Sequence, residues 1–153
     1  ETFIDRMADC GADLITFHLE AADYPDEIID AIHARGLKAG LSIRPRTPVR
    51  AIIPYMHKID MLLIMTVEPG AGGQPYIPES TERIREARKL FMAAGLSTDI
   101  EVDGGIKLDN LHVVLEAGAN VIVAGSAVYG GDVEGKTKAF MQKMSEWDVS
   151  PTS

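Results

Sequence analysis

The chain has 153 residues, 46% of them hydrophobic and 25% charged, with a formal net charge of −8. That length supports one domain with a sizeable buried core, and the acidic balance argues against nucleic acid or an anionic membrane surface as the main partner. The single cysteine, Cys10, excludes an intrachain disulfide framework and reads as a small buried hydrophobe, while the lack of any run near ~18 apolar residues or of a basic-then-apolar leader predicts a soluble, cytoplasmic protein that spans no membrane.

Taken in order, the sequence alternates helix-like and strand-like stretches. Thr2 to Ala8 is charged and amphipathic, as a helix would be, and Gly11 follows where that helix should stop. A β-rich run from Asp13 to Leu19 comes next, then a helical pattern from Asp26 to Ala34 closed by Gly36. A second strand is predicted from Lys38 to Ile43 and a helix from Val49 to Met56. Between them, Arg44 and Arg46 flank a proline in what reads as a solvated surface turn. A third strand, Met61 to Val67, runs into a glycine-rich loop and a helix from Glu79 to Ala94, closed by Gly95. The last predicted elements are a strand from Asp99 to Asp103, a helix from Leu108 to Glu116 closed by Gly118, a strand from Val121 to Ala124 and a helix from Gly135 to Glu146. Several strands are apolar throughout, the mark of a parallel sheet covered on both faces. Residues 1–147 read as one partial barrel domain and 148–153 as a frayed polar tail. Cys10-Gly11-Ala12-Asp13 and Ala117-Gly118-Ala119-Asn120 each close a helix and open a strand, an internal echo of one βα unit.

Three segments could carry chemistry. Glu101-Val102-Asp103-Gly104-Gly105-Ile106 ends a strand with a carboxylate followed by two glycines, which lets backbone N–H groups approach an anion. Glu68 to Gln74 includes Gly70, Ala71, Gly72 and Gly73, dense enough in glycine to form a concave nest of N–H groups; a protein of net charge −8 can hold phosphate that way without basic side chains. Ala124-Gly125-Ser126-Ala127 offers a further backbone amide and a hydroxyl at a strand end, where barrels of this kind bind phosphate.

With these residues assembled, the chain resembles the ribulose-phosphate 3-epimerase family. The likeness rests on Thr16-Phe17-His18-Leu19-Glu20-Ala21, on Leu63-Ile64-Met65-Thr66-Val67-Glu68-Pro69-Gly70-Ala71-Gly72-Gly73-Gln74, on the Ile100 to Ile106 segment and on Ala124 to Ala127, in order and at suitable spacing to about Lys143. The resemblance implies a (β/α)8 barrel of the ribulose-phosphate-binding type, here incomplete with about five parallel strands. It further implies interconversion of D-ribulose 5-phosphate and D-xylulose 5-phosphate through an enediolate, assisted by a divalent metal ion, Zn, Fe or Mn. By the same resemblance Asp103 is a metal ligand and one of two acid/base groups. Gly70, Ala71, Gly72, Gly73, Gly104, Gly105, Gly125 and Ser126 contact the phosphorylated ketose, chiefly its phosphate, and Met65 lines the apolar wall beside the enediolate.

The family's second acid/base aspartate, its metal histidines and a substrate-contacting serine belong to earlier strands, which these residues do not include. His18 is therefore read as a polar residue of the barrel mouth, and His33, His57 and His112 as solvated. Three readings follow: an epimerase of which this is the C-terminal five βα units, a partial barrel serving as a non-catalytic phosphate-binding or assembly module, and an allulose-6-phosphate 3-epimerase, for which Ala71 in place of the family's usual phenylalanine leaves room. An unpaired edge on the first strand predicts pairing with another chain, hence a homo-oligomer.

Overall fold

The computed structural model describes residues 3–67 and 75–123. The loop from Glu68 to Gln74 lies outside them, as do Gly125, Ser126, the predicted helix from Gly135 to Glu146 and the C-terminal tail. The described elements are α1 (Phe3–Asp9), β1 (Leu14–His18), α2 (Pro25–Ala34), β2 (Lys38–Ile43), β3 (Met61–Met65), α3 (Ser80–Ala93), β4 (Asp99–Asp103), α4 (Leu111–Ala117) and β5 (Val121–Val123), with 3₁₀ turns at Leu19–Ala21 and Val49–Tyr55. All neighbouring strands pair in parallel, in the sequential order β1-β2-β3-β4-β5. Such a sheet places every strand's C-terminal end along one edge.

The register divides the sheet into two faces. Ile15, Ala39, Leu41, Ile43, Leu62, Ile64, Ile100 and Val102 are buried in one cluster with Ile29 and Ile32 of α2, Ile84 and Phe91 of α3 and Leu111 and Val114 of α4. Each large side chain so buried contributes about 1.5–3 kcal/mol. The alternate residues form the other face, where Met61 and Ser42 are buried, Thr16, Leu63, Met65, Glu101, Asp103 and Val121 half-buried, and His18 and Val123 exposed. Among the described residues, these helices pack on the first of the two faces.

Both copies of the Gly-Ala-Asp/Asn echo end their helices the same way. Gly11 N–H donates to Ala8 O and Ala12 N–H to Met7 O, just as Gly118 N–H donates to Leu115 O and Ala119 N–H to Val114 O. This paired i+3 and i+5 closure satisfies carbonyls left free at a helix C-terminus. In the second copy the next polar residue also fixes strand register. Asn120 accepts the Ile100 N–H on Oδ1 at 2.7 Å and returns its own N–H to Ile100 O at 3.0 Å. Asp60 makes the same exchange with Ala39, at 2.8 Å in both directions. Arg88, on α3, locks the far end of this arrangement by donating to Gly118 O and Thr98 O.

Three local expectations are corrected. Val49–Tyr55 is a 3₁₀ turn and not an α-helix, because Pro54 inside it removes a backbone donor and clashes with α geometry. Cys10 is exposed, in the turn that follows the last residue of α1. His33 is not simply solvated, for its Nε2–H donates to Asp60 Oδ2 at 3.0 Å.

Candidate functional site

The site is built on the C-terminal edge of the sheet, around the turn that leaves β4. Asp103 is the last residue of that strand, with Met65 of β3 and Val123 of β5 as its Cα partners. It is half-buried, and burial pushes its carboxyl above the ordinary aspartate range. Glu101, one pleat earlier on the same face, is raised by burial first and by the Asp103 charge second. Two carboxyls in line on one open face therefore favour the protonated form more than either would in water, a setting suited to proton transfer.

The turn after Asp103 is fixed from three sides. Thr66, buried at the end of β3, donates its N–H to Asp103 O at 3.0 Å, and its hydroxyl lies 2.9 Å from Asp103 O and 2.5 Å from Gly104 O. Asn110 donates Nδ2–H to Gly105 O at 2.9 Å and accepts the Lys107 N–H on Oδ1 at 2.7 Å. Gly105 adopts φ 73°, and a Cβ there would press on the Tyr76 backbone, with Cα only 2.7 Å away, so only glycine fits.

A second brace holds the loop after β2. The Glu20 carboxylate accepts the Arg44 N–H at 2.8 Å and the Thr47 hydroxyl, while Arg83 of α3 donates to Arg44 O at 3.0 Å and Thr47 O at 2.5 Å. Burial raises the Glu20 carboxyl, but the Arg44 N–H and Thr47 hydroxyl outweigh it and hold the group below its usual value. The backbone of the Arg44–Thr47 turn is thus pinned, although the Arg44 and Arg46 side chains are exposed.

Of the residues singled out from sequence, Met65, Asp103, Gly104 and Gly105 come together here. Gly70, Ala71, Gly72, Gly73, Gly125 and Ser126 lie outside the described residues. His18 reaches the same edge at the end of β1, with β2 and β3 between it and Asp103. Sequence reasoning missed the parts played by Thr66, Asn110, Glu20 and Arg83. Asn110 offered the clearest signal, an Asx residue a few positions past a double glycine, where side-chain to backbone bonds are common. Among the described residues no group of three or more His, Cys, Asp or Glu side chains could hold a metal ion, so Asp103 alone does not make a metal site. No described helix is long and apolar enough to cross a membrane.

A family model described as the ribulose-phosphate 3 epimerase family matches residues 1–129. The ribulose-phosphate 3-epimerase of Schizosaccharomyces pombe is 45% identical over 129 residues, which is 84% of this chain and 55% of that protein. Its Escherichia coli K12 counterpart is 40% identical over 129 residues, 84% of this chain and 57% of that protein. A rice protein named as the cytoplasmic isoform is 40% identical over 148 residues, 94% of this chain and 63% of that one. The chain thus spans between half and two thirds of the length of these relatives. Among solved structures, the 3-hexulose-6-phosphate synthase of Salmonella typhimurium superposes with a TM-score of 0.72 at 20% identity, over 94% of this chain and 67% of the other. A tryptophan synthase alpha-subunit from Pyrococcus furiosus gives 0.65 at 17%, over 95% and 57%. At such identities the likeness is one of fold, that of TIM-barrel-type proteins.

Proposed function

The chain belongs to the ribulose-phosphate 3-epimerase family, and on that premise we propose that the protein interconverts D-ribulose 5-phosphate and D-xylulose 5-phosphate, with Asp103 as one of the two groups that move the proton at carbon 3. The observation that carries this reading is the position of Asp103: a half-buried carboxyl at the C-terminal end of a parallel strand, immediately before a turn of two glycines with positive φ.

The chemistry follows from the substrate. Carbon 3 is alpha to the ketone, so its proton is acidic enough to leave when the resulting enediolate is stabilised. A carboxyl raised by burial is suited to take that proton in one direction of the reaction and to deliver one in the other, nearer neutral pH than an ordinary aspartate would. Met65 beside it keeps that side of the plane apolar. Inversion needs a second acid/base on the opposite face, which in the family's pattern belongs to a strand preceding β1. A divalent ion, Zn, Fe or Mn, would stabilise the enediolate charge when bound; Asp103 would be one of its ligands, and among the described residues no group of three or more His, Cys, Asp or Glu side chains completes its site. Gly104 and Gly105, with Gly70 to Gly73, Gly125 and Ser126, would hold the phosphate. A homo-oligomer, and a cytoplasmic location in keeping with the rice relative's name, belong to the same reading.

The test is conversion of D-ribulose 5-phosphate by the full-length protein with each metal in turn. Formation of D-xylulose 5-phosphate that is lost in Asp103→Asn supports the proposal. Binding of the sugar phosphate without conversion favours instead a non-catalytic phosphate-binding module.

A further inference from the structure

Asn110 sits at the N-cap of α4, where an asparagine side chain ordinarily accepts a helix N–H, yet it makes no such bond. Its amide is spent on the turn instead, on Gly105 O and Lys107 N–H. Thr66 is likewise committed, with both backbone N–H and hydroxyl directed at the carbonyls of Asp103 and Gly104. Three consecutive carbonyls, of Asp103, Gly104 and Gly105, are therefore held against the protein by two side chains from different elements.

A planar trans peptide points its C=O and its N–H in opposite directions. No peptide in the chain's described residues is cis. Holding those three carbonyls inward thus turns the N–H groups of Gly104, Gly105 and Ile106 away from Thr66 and Asn110. Among the described residues none of the three donates to an acceptor. We propose that Thr66 and Asn110 are the positioning residues of this site: together they aim the peptide N–H groups of the half-buried Gly104 and Gly105 at the phosphate of the substrate and set the backbone from which the Asp103 carboxyl projects. The nature of the anion rests on the epimerase reading; the aiming of the N–H groups does not.

Neither residue touches the reacting carbon in this account, so substitution acts on phosphate affinity and on the geometry of the turn. Asn110→Ala and Thr66→Val each remove one side-chain hold while leaving the Thr66 N–H bond to Asp103 O. Each weakens D-ribulose 5-phosphate and inorganic phosphate binding by roughly tenfold, the order expected for losing one hydrogen bond that orients a binding group. The double variant weakens it further. Thr66→Ser, which restores the hydroxyl, recovers binding.

The experiment is titration of the ¹⁵N-labelled full-length protein and its variants with D-ribulose 5-phosphate and with inorganic phosphate, following the amides of Gly104 and Gly105, beside a thermal unfolding midpoint for each. The proposal expects these two amides to shift on binding in the wild type. In Asn110→Ala and Thr66→Val their free-state resonances should move and affinity should fall, with the unfolding midpoint nearly unchanged. Unmoved amides with wild-type affinity in both variants overturn it, as does a loss of affinity that tracks a loss of stability and is not recovered by Thr66→Ser. If the wild type binds inorganic phosphate but not D-ribulose 5-phosphate, the epimerase reading fails and the positioning is still decided by the phosphate arm. If it binds neither, the proposed cradle is overturned as well.

Discussion

Met65 and Asp103 are Cα partners across the β3–β4 ladder, which places the half-buried carboxyl beside a thioether; burial, and not a charged neighbour, lifts its pKa. The Asp103 charge in turn raises Glu101 on the same face. Asp103→Asn should therefore lower the pKa of Glu101 toward the usual glutamate range, because the repelling charge is gone while burial remains. A ¹³C NMR titration of the Glu101 carboxyl reads this. An unchanged Glu101 would mean that the two groups do not share a face.

The Glu20 brace makes acid stability a local property. Its folded pKa lies below the ordinary value of 4.5, so its contribution to stability is fully present above that pH and is lost as pH falls through the lower, folded value. Glu20→Gln should flatten that part of the acid unfolding profile. It should also speed limited proteolysis between Arg44 and Thr47, whose backbone the carboxylate holds. An acid limb identical to the wild type's would contradict the assignment.

Asn120 should be worth more than its half-polar setting suggests. Truncation to alanine leaves the N–H of buried Ile100 without its acceptor, a cost of about 1–3 kcal/mol. Asn120→Asp keeps an acceptor at Oδ1 and should cost less, although it loses the donor to Asp99. Urea unfolding of the two variants separates these outcomes, and equal costs would argue that the register bond to Ile100 contributes nothing.

Two glycines of positive φ should respond differently to alanine. Gly11 has φ 88° and open space around it, so Gly11→Ala incurs only the left-handed backbone cost of about 1–2 kcal/mol. At Gly105 the added Cβ also meets the Tyr76 backbone, which should add about 1–3 kcal/mol and displace the turn after Asp103. Denaturation midpoints compare the two directly. Equal penalties would mean that Tyr76 yields easily.

These cases also show what the sequence made legible. β2 and β4 begin and end as expected: β2 is buried throughout after Lys38 and β4 buries alternate residues, and each is bounded by sharp breaks. The helix stops at Gly11, Gly36, Gly95 and Gly118 were equally readable, since each needs a positive φ. Periodicity could not see that Pro54 would tighten the segment after β2 into a 3₁₀ turn, although the proline itself was in view. Nor could it show which face of the sheet the helices cover, a matter of tertiary packing. In the site, Asp103, Gly104 and Gly105 announced themselves by residue type. Thr66 and Asn110 did not, because their roles depend on carbonyl directions that only the folded backbone fixes.

The central claim, that Asp103 moves the carbon-3 proton, is tested most directly by solvent exchange. The full-length protein and its Asp103→Asn variant are incubated with D-ribulose 5-phosphate in D₂O, and loss of the carbon-3 proton signal is followed by NMR, with sugar-phosphate affinity measured in parallel. The account predicts that exchange falls by roughly 10²–10⁴-fold in the variant, as expected for removal of a general acid/base, while affinity changes far less. A variant that exchanges the proton at the wild-type rate would contradict it.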